Sequence, residues 1–393
     1  MKREYRKQMA LVLILALCFC LVGCGDGSSN ASTGTDAGVS VASGGGAEVE
    51  PEKTAKPTKT PKPTPKIDTV TLSCAGDCTI GTDPAFNQST SFNAMVNRVG
   101  DKAYFFKNVQ KYFAKDDMTI VNFEGTLTTR TTRADKKFTF KGPASYVKIL
   151  TKGNIESVAF ANNHCRDFGE GSYYDTIETF KDEGIKYSSY SKVGTYKVKK
   201  EKTGTKIKIG MISVNGLESY AAATSQIKNG VKKLKDKKCA LIIVSMHAGI
   251  ERQYSPNETQ RSLAHYAVNA GADLVLGHHP HVLQGVEKYK GVYIVYSLGN
   301  FSFGGNSNPS DKDTMIARPT FTFKNGKLKK KKTTLKLIPC CLSSTTSYNN
   351  YQPTPKKGSE KKRLLGKINN MCEPLGTTLK DKNGKLTKYC VKK

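Results

Sequence analysis

The sequence is poor in several kinds of residue, and each shortage narrows what the protein can be. It has no tryptophan, six histidines, and 33 acidic residues against 62 basic ones in a chain of 393. No internal repeat is visible, and no helix-turn-helix, zinc-finger or RNA-recognition pattern accompanies the net charge of +29. We therefore expect no nucleic-acid partner. Two interpretations of the charge remain, which are solvated surface lysines and an anionic polymer as partner.

The cysteines also lack a spacing that would assign them to a metal site or to particular disulfides. Eleven are present, but no two pairs have the spacing of a zinc site, since Cys340 and Cys341 are adjacent. In an oxidising compartment some could form disulfides, most plausibly among the four nearest the carboxyl end, which add Cys372 and Cys390. The sequence leaves their connectivity open.

Only one long apolar run exists, from Met9 to Val22, and it is too short to span a membrane comfortably. A basic start precedes it, as in a secretory signal peptide. The run ends in Leu21-Val22-Gly23-Cys24, which resembles the lipobox of bacterial lipoproteins. That resemblance implies removal of residues 1–23, diacylation of Cys24, and a lipid-anchored protein on the extracytoplasmic face of the cell membrane. An ordinary signal peptide or an uncleaved anchor is the alternative.

Composition divides the rest of the chain into three parts. Residues 24–66 are rich in Gly, Ser and Ala and then in Lys, Pro and Thr, a composition that favours a disordered, hydrated tether. In residues 67–305, short apolar runs typical of buried strands alternate with helical spacing, which predicts an α/β layered domain. Residues 306–393 form a basic extension, in which a β-hairpin around Asn325-Gly326 and a short helix over Leu364 to Met371 are expected.

A histidine cluster lies at one of the predicted strand ends. Three of the six histidines, His278, His279 and His281, follow the apolar run Leu274 to Gly277. In open α/β sheets, ligands bind at the carboxyl ends of strands. His279 and His281 share a face if the segment is extended, so the two imidazoles could converge on a divalent cation. A histidine-rich surface loop without a ligand is the alternative.

Four further strand ends carry side chains of the kind that bind metals. These side chains are Asp77, Glu124, Asn163 with His164, and His247. A single carboxylate after a strand is more often a turn residue, but five such loops are difficult to explain as turns. Carboxylate, amide and imidazole ligands together suit manganese, zinc or iron better than calcium. The sequence therefore predicts a hydrolytic type of centre with one or two divalent ions.

Short motifs around these residues occur in an order that carries a resemblance. They are Ala75-Gly76-Asp77, Asn122-Phe123-Glu124-Gly125, Asn162-Asn163-His164 with Asp167, His247-Ala248-Gly249-Ile250-Glu251, Gly277 to Val282, and Ser297-Leu298-Gly299-Asn300-Phe301. In this order they resemble the CapA family of poly-γ-glutamate capsule-synthesis proteins, in the calcineurin-like metallophosphatase superfamily. The resemblance covers about residues 69–303. It implies a four-layer α/β/β/α metallophosphatase-like sandwich, with the site at the strand ends and a C-terminal β-hairpin extension.

The resemblance also implies a role for each site residue. Asp77 and His281 would hold one ion, and Asn163, His247 and His279 the other. Glu124 would bridge the two ions. His164 would be the catalytic group that stabilises or protonates a leaving oxygen, or else a histidine that only fixes the Asn163 loop. Four further residues are expected to hold these ligands in place without binding a metal themselves. They are Asp167, Glu251, His278 and Asn300.

Two departures from the metallophosphatase pattern bear on activity. Thr79 stands where those enzymes have a histidine two places after the first aspartate, and Ala248 stands where the family usually has a tryptophan. The first departure is shared by the CapA family and weakens the case for phosphatase activity. The second enlarges or exposes the pocket.

Three functions fit these observations. The first is a membrane-anchored protein that uses a metal site in the synthesis, release or anchoring of an anionic capsule polymer, with polymer synthase and export subunits as partners. The second is a surface lipoprotein that binds the polyanion without catalysis. The third is a general extracytoplasmic metallophosphoesterase. Whether the protein is an enzyme stays open at this point.

Overall fold

A computed structural model describes residues 64–378, which belong to a single compact unit. The signal peptide, the lipidation candidate Cys24, almost all of the tether, and Cys390 lie outside the described residues. The first strand begins at Ile67, where the predicted tether ends. No helix in the described part of the chain is both long enough and apolar enough to cross a membrane.

Strands and helices alternate through most of the described chain. The strands are β1 Ile67–Thr79, β2 Met118–Phe123, β3 Thr126–Leu127, β4 Lys141–Gly142, β5 Ser157–Phe160, β6 Lys186–Ser189, β7 Gly194–Lys199, β8 Lys206–Asn215, β9 Leu241–His247, β10 Leu274–His278, β11 Val286–Tyr289, β12 Val292–Val295, β13 Asn300–Phe303, β14 Asp313–Lys324, β15 Lys327–Leu328, β16 Thr334–Cys341 and β17 Thr354–Pro355. The α-helices are α1 Phe92–Val99, α2 Gln110–Phe113, α3 Val147–Lys152, α4 Gly169–Asp182, α5 Tyr220–Asp236, α6 Glu258–Ala270 and α7 Gly358–Cys372. Short 3₁₀ helices span Gln88–Thr90, Lys102–Phe106, Ala144–Tyr146, Lys330–Lys332 and Glu373–Leu375.

Two large mixed sheets contain most of these strands. The first has the order β17-β16-β14-β1-β2-β5-β6, with β13 also paired to β1 and β15 to β14. The second has the order β11-β12-β10-β9-β8-β7. Every residue of β2 and β9 is buried, as expected for central parallel strands with both faces covered. Because β1, β2 and β5 are parallel, as are β8, β9 and β10, each sheet gathers its carboxyl strand ends along one edge.

Three hydrophobic clusters define four layers. The central cluster lies between the sheets, where Leu72 and Ile120 of the first sheet join Ile209 and Ile243 of the second. A second cluster packs α1 to α4 on the outer face of the first sheet. A third packs α5 and α6 on the outer face of the second sheet. The order helix, sheet, sheet, helix confirms the predicted α/β/β/α sandwich.

The predicted hairpin is present, and it extends the first sheet. Asn325 and Gly326 have φ values of 52° and 73°, and they join Lys324 to Lys327 in the two-residue turn that such values favour. After β15 and a 3₁₀ turn, β16 pairs along the whole of β14. Strand β14 also pairs antiparallel with β1. Residues beyond 305 therefore share the sheet that carries the first predicted ligand.

The seven described cysteines are all free thiols. Cys340, Cys341 and Cys372 are buried, and none of them is joined to another described cysteine. Burial raises the pKa of Cys372 to about 11, so its thiol stays protonated near neutral pH. The expectation of a disulfide among the last four cysteines is not met by the three that are described.

Asp116 lies just before the amino end of β2, and its buried carboxyl group leads to a prediction about stability. Burial raises the pKa of Asp116 to about 7, although Thr119 donates a hydrogen bond of 2.8 Å to its carboxylate. An aspartate whose folded pKa lies above its unfolded value stabilises the fold less as the pH rises through the folded pKa. We expect Asp116→Asn to raise the free energy of unfolding by about 1 kcal/mol at pH 8.5 and to change it little at pH 5. Urea unfolding at the two pH values measures this difference, and an equal effect at both would contradict it.

Candidate metal centre

Asp77 is fixed at the carboxyl end of β1 by contacts from three directions. Its backbone N–H donates to the carbonyl of Gly299 at 2.9 Å. The preceding residue must be glycine, because a Cβ at Gly76 would lie 1.8 Å from that same carbonyl oxygen. The buried carboxylate accepts from Asn122 Nδ2 at 2.9 Å and lies 3.1 Å from Nδ1 of His278. Burial alone would raise the pKa of Asp77, but hydrogen bonds with His278 and His281 lower it well below the usual range.

Glu124 is the centre of the site. Its side chain is fully buried, and its Oε1 accepts no hydrogen bond. That oxygen faces the Nε2 atoms of three histidines, at 3.7 Å from His281, 3.8 Å from His247 and 3.9 Å from His164. These distances are too long for hydrogen bonds and leave room between the atoms. Burial raises the pKa of Glu124 to about 8, an effect that His281 opposes and Asp77 reinforces.

His247 and His279 have the protonation state that a metal ligand needs. Burial and the neighbouring His279 lower the pKa of His247, and burial and His281 lower the pKa of His279 to about 4. Both imidazoles are therefore neutral near pH 7, which is the form that binds a metal. His247 Nε2 and His279 Nδ1 are buried and have no hydrogen-bond partner, and the two ring centroids are 4.9 Å apart.

The loop that carries His279 and His281 has an unusual backbone. His279 has a φ of 95° and His281 a φ of 57°, values that few residues other than glycine adopt. Such conformations persist where the surrounding structure holds them, often at functional sites. His281 Nδ1 lies 2.9 Å from Asn300 Oδ1, which aims its Nε2 at Glu124. Burial would lower the pKa of His281, but Glu124 and Asp77 raise it to about 9.

The buried atoms without partners test whether a metal fits here. Buried polar groups are nearly always hydrogen-bonded, so each unpartnered one needs an explanation. Four of the six side chains expected to bind metal supply such an atom. The atoms are Glu124 Oε1, Asn163 Oδ1, His247 Nε2 and His279 Nδ1. They are acceptor atoms of the types that manganese, zinc and iron take as ligands, and the residues present therefore fit a divalent ion.

Two sets of three side chains bring atoms of ligand type together, and His281 also lies 3.4 Å from Asp77, the residue with which the resemblance groups it. Ligand atoms of Asp77, Glu124 and His247 lie within 4.8 Å of one another. A second set within the same limit is Glu251, His279 and His281. Glu251 was expected only to support the ligands, but its carboxylate lies within 4.8 Å of ligand atoms of His279 and His281.

His164 lies beside the ligands with its Nδ1 held by a carboxylate. Nδ1 is 2.7 Å from Asp167 Oδ2, and its ring lies 4.4 Å from the ring of Phe140. The other carboxylate oxygen of Asp167 accepts from Lys136 Nζ at 2.7 Å. Burial lowers the pKa of His164, and Asp167 partly offsets that effect. Neutral His164 with its proton on Nδ1 presents the lone pair of Nε2 to the site.

The remaining supports also contact the ligands. His278 reaches Asp77, and Asn300 reaches His281. Two residues that link members of the cluster were given no role from the sequence, although Asn122 stands in one of its motifs. Asn122 donates to Asp77 and lies 3.4 Å from His247 Nδ1, while Lys136 donates to the Asn163 carbonyl at 2.7 Å. Asn122 could have been found, because alternation along a strand puts it on the same face as Glu124. No local pattern marks Lys136.

A cleft of about 430 Å³ opens over these residues. Its lining includes four phenylalanines, namely Phe86, Phe138, Phe140 and Phe303, and the charged residues Arg252, Glu251 and Asp311. His164 and His281 also line it. Of the six expected metal ligands, His281 is therefore the one that reaches this opening, which combines apolar and charged surface.

Comparison with known proteins gives a consistent family. The family described as bacterial capsule synthesis protein PGA_cap matches residues 71–305, more than half of the chain. The PGA biosynthesis protein CapA of Bacillus subtilis is 32% identical over 214 residues, which are 50% of this chain and 56% of that protein. The capsule biosynthesis protein CapA of Bacillus anthracis is 29% identical over 256 residues, 60% of each chain. A probable polyglutamine synthesis accessory protein of Mycobacterium tuberculosis is 27% identical over 214 residues, 47% of this chain and 55% of that protein. The match spans little more than half the length of each relative.

Proposed function

The chain belongs to the PGA_cap family of bacterial capsule synthesis proteins, and from this premise we propose that it acts through a divalent-metal centre on an anionic capsule polymer of the poly-γ-glutamate type. It would serve in the synthesis, release or anchoring of that polymer. The relatives named for PGA and capsule biosynthesis support the polymer class. The observation that carries the metal-dependent part is the set of buried, unpartnered acceptor atoms around Glu124.

In such a centre, some of these residues would bind the metal and another would transfer a proton. Asp77, Glu124, Asn163, His247, His279 and His281 would hold one or two ions of manganese, zinc or iron. When bound, a divalent ion supplies Lewis acidity to polarise the group that is attacked. His164, neutral and held through Nδ1 by Asp167, takes or returns a proton at Nε2. The reaction class that these parts support is hydrolysis or transfer at an amide bond.

The cleft supports an anionic, chain-like substrate. Arg252 has a φ of 62°, and its backbone N–H donates to the Pro280 carbonyl at 2.8 Å, within the histidine loop. This contact holds the exposed guanidinium at the cleft, and within the described residues no acidic side chain pairs with it. Four phenylalanines line the same cleft. A polymer with methylene groups and carboxylates could contact the phenylalanines and Arg252 at once.

A general phosphoesterase is less well supported. Thr79 is fully buried at the end of β1, where metallophosphatases have a histidine ligand, and its hydroxyl has no hydrogen-bond partner. A hydroxyl is a poorer ligand than an imidazole for these metals. We therefore expect weak or absent turnover of simple phosphoesters.

Metal content tests the proposal directly. We expect residues 63–393, purified and incubated with Mn²⁺ or Zn²⁺, to retain about one or two ions per chain after desalting. The double variant His279→Ala/His281→Ala should lose most of that metal, because both imidazoles contribute ligand atoms. Elemental analysis by mass spectrometry measures the content. The variant His265→Ala is the control, since His265 lies on α6 and contacts Glu287 instead of the cluster. Equal, negligible metal in wild type and double variant would reject the metal-dependent function.

For the location of the protein we propose lipid anchoring at Cys24 on the outer face of the membrane. The support is the lipobox-like sequence that ends at Cys24 and the hydrophilic segment after it. Metabolic labelling with a palmitate analogue would tag the wild-type chain in a bacterial host and leave Cys24→Ala untagged. Labelling of both or of neither would contradict lipid attachment at this cysteine.

A further inference from the structure

A second cavity lies at the edge of the first sheet, away from the metal centre. Its volume is about 370 Å³, and it shares no lining residue with the cleft over the histidines. Five lysines line it, from α2, β16, the segment after β17 and the start of α7. They are Lys111, Lys336, Lys356, Lys357 and Lys361, and we refer to this feature as the lysine cavity.

The positive charge of the lysine cavity is not neutralised by the surrounding protein. Among the described residues, none of the five lysines forms an ion pair with a carboxylate. Arg318 adds a sixth positive charge close by, since it pairs with Lys336 across β14 and β16. Its guanidinium lies 5.5 Å from the ring of Tyr112, another lining residue, and its buried Nε has no hydrogen-bond partner.

Helix α7 adds partial positive charge at the same place. The helix has 15 residues, and its N-cap residue, Lys357, makes no side-chain capping hydrogen bond. The side chain of Lys357 therefore occupies none of the first backbone N–H groups, and the helix dipole favours an anion there. The acidic residue of the first turn, Glu360, does not line the cavity and pairs with Arg363 at 3.0 Å. Like charges held this close repel one another unless an anion binds among them.

We propose that the lysine cavity binds a segment of an anionic carboxylate polymer at a distance from the metal centre. This inference rests on the proposed function for the identity of the polymer. Ammonium groups on flexible stems recognise charge more than fixed geometry, as a polymer with regularly repeated carboxylates requires. A polymer is favoured over a membrane surface because the lysines surround a concavity, where a flat layer of headgroups could not reach them all. Binding of the polymer in the lysine cavity would keep it near the cleft over the histidines and raise its effective concentration there.

The test compares a variant that lacks positive charge in the lysine cavity with a variant that lacks the same charge on another surface. The cavity variant carries Lys336→Gln, Lys356→Gln, Lys357→Gln and Lys361→Gln in residues 63–393, whose described part, 64–378, belongs to one compact unit. Fluorescence anisotropy with labelled poly-γ-glutamate of defined length measures affinity at low and high salt. We expect the affinity at low salt to fall about tenfold or more, and the dependence on salt to become shallower.

A matched control variant removes the same charge from helix α5 and its end. It carries Lys228→Gln, Lys233→Gln, Lys237→Gln and Lys238→Gln, all at exposed positions. We expect its affinity to change by less than about threefold, since charges more than a Debye length from the polymer are screened. Equal losses in the two variants would overturn the lysine cavity as a site and attribute binding to net charge.

Two further measurements separate this inference from the proposed function. Both lysine variants should keep the wild-type metal content, whereas the histidine double variant should lose metal and still bind the polymer. Vesicles containing phosphatidylglycerol provide the second comparison. If the cavity variant lost vesicle binding and kept its affinity for poly-γ-glutamate, the cavity would be a membrane contact and the inference would be wrong.

Discussion

Replacing Glu124 with glutamine is expected to lower the affinity for a divalent metal by about 100-fold or more, while the metal-free protein stays folded. Glu124 Oε1 faces three imidazoles at 3.7 to 3.9 Å and accepts no hydrogen bond, so this oxygen is available to a cation. Glutamine has nearly the same shape and can keep the weak 3.5 Å contact with Asn122 through its carbonyl. It removes the negative charge with which Glu124 would attract a cation.

The free energy of unfolding of metal-free Glu124→Gln should not fall along with its metal affinity. Burial raises the pKa of Glu124 to about 8, which means that the ionised form is disfavoured in the folded chain. A neutral side chain avoids that cost and gives up the attraction to His281. We expect the metal-free unfolding free energy of Glu124→Gln to lie within about 1 kcal/mol of wild type or above it. Wild type alone should gain thermal stability when Mn²⁺ or Zn²⁺ is added.

Titration calorimetry and thermal unfolding with and without metal measure both effects. Glu156→Gln is the matched control, because Glu156 is also a largely buried carboxylate whose pKa burial raises, but it lies near the amino end of β5. That variant should bind metal like wild type. Unchanged metal affinity in Glu124→Gln would remove Glu124 from the ligand set.

The layered fold could be predicted because its strands are encoded locally. Strands β2, Met118–Phe123, and β9, Leu241–His247, are short and mostly apolar, which is the pattern from which buried strands were predicted. Helix α5 escaped prediction although Ala223, Ile227, Val231 and Leu234 recur at helical spacing on its buried face. Its many lysines and small residues hid that pattern. Strand β13 could not be found locally, since it pairs with β1 through contacts at Asp77 and Thr79.

The site was predictable as a set of strand ends, whereas the contacts that position each side chain were not. His281 lies 3.4 Å from Asp77, the pair that the resemblance implies, but its Nε2 also faces Glu124 at 3.7 Å. The positive φ values at His279 and His281 turn these imidazoles differently from the extended segment that the sequence suggested. Lys136 enters from the loop before β4 and contacts Asn163 and Asp167, more than 25 residues later in the chain. Contacts of this kind depend on tertiary packing and leave no spacing in the sequence.

Asp167→Asn is expected to reduce turnover of poly-γ-glutamate by about 10²- to 10⁴-fold without loss of metal. Both oxygens of Asp167 accept from fixed donors, Oδ1 from Lys136 at 2.7 Å and Oδ2 from the Phe140 N–H at 2.6 Å. Whichever way an asparagine amide is oriented, one of these donors loses its acceptor. The negative charge that favours protonated His164 is lost as well, so His164 can no longer carry a proton between steps.

Two readouts distinguish this role from structural damage. The pKa of His164, measured by NMR of the imidazole, should fall further below its usual value in Asp167→Asn, because Asp167 is the group that raises it. Metal content should stay close to wild type, while the loss of one buried acceptor should lower the free energy of unfolding by about 1–3 kcal/mol. Asp83→Asn is the matched control, since the equally buried Asp83 accepts from the Thr139 N–H at 2.8 Å and does not contact His164. If Asp167→Asn retained full turnover with a lowered His164 pKa, proton transfer by His164 would not limit the reaction, and His164 would serve only to hold the loop of Asn163.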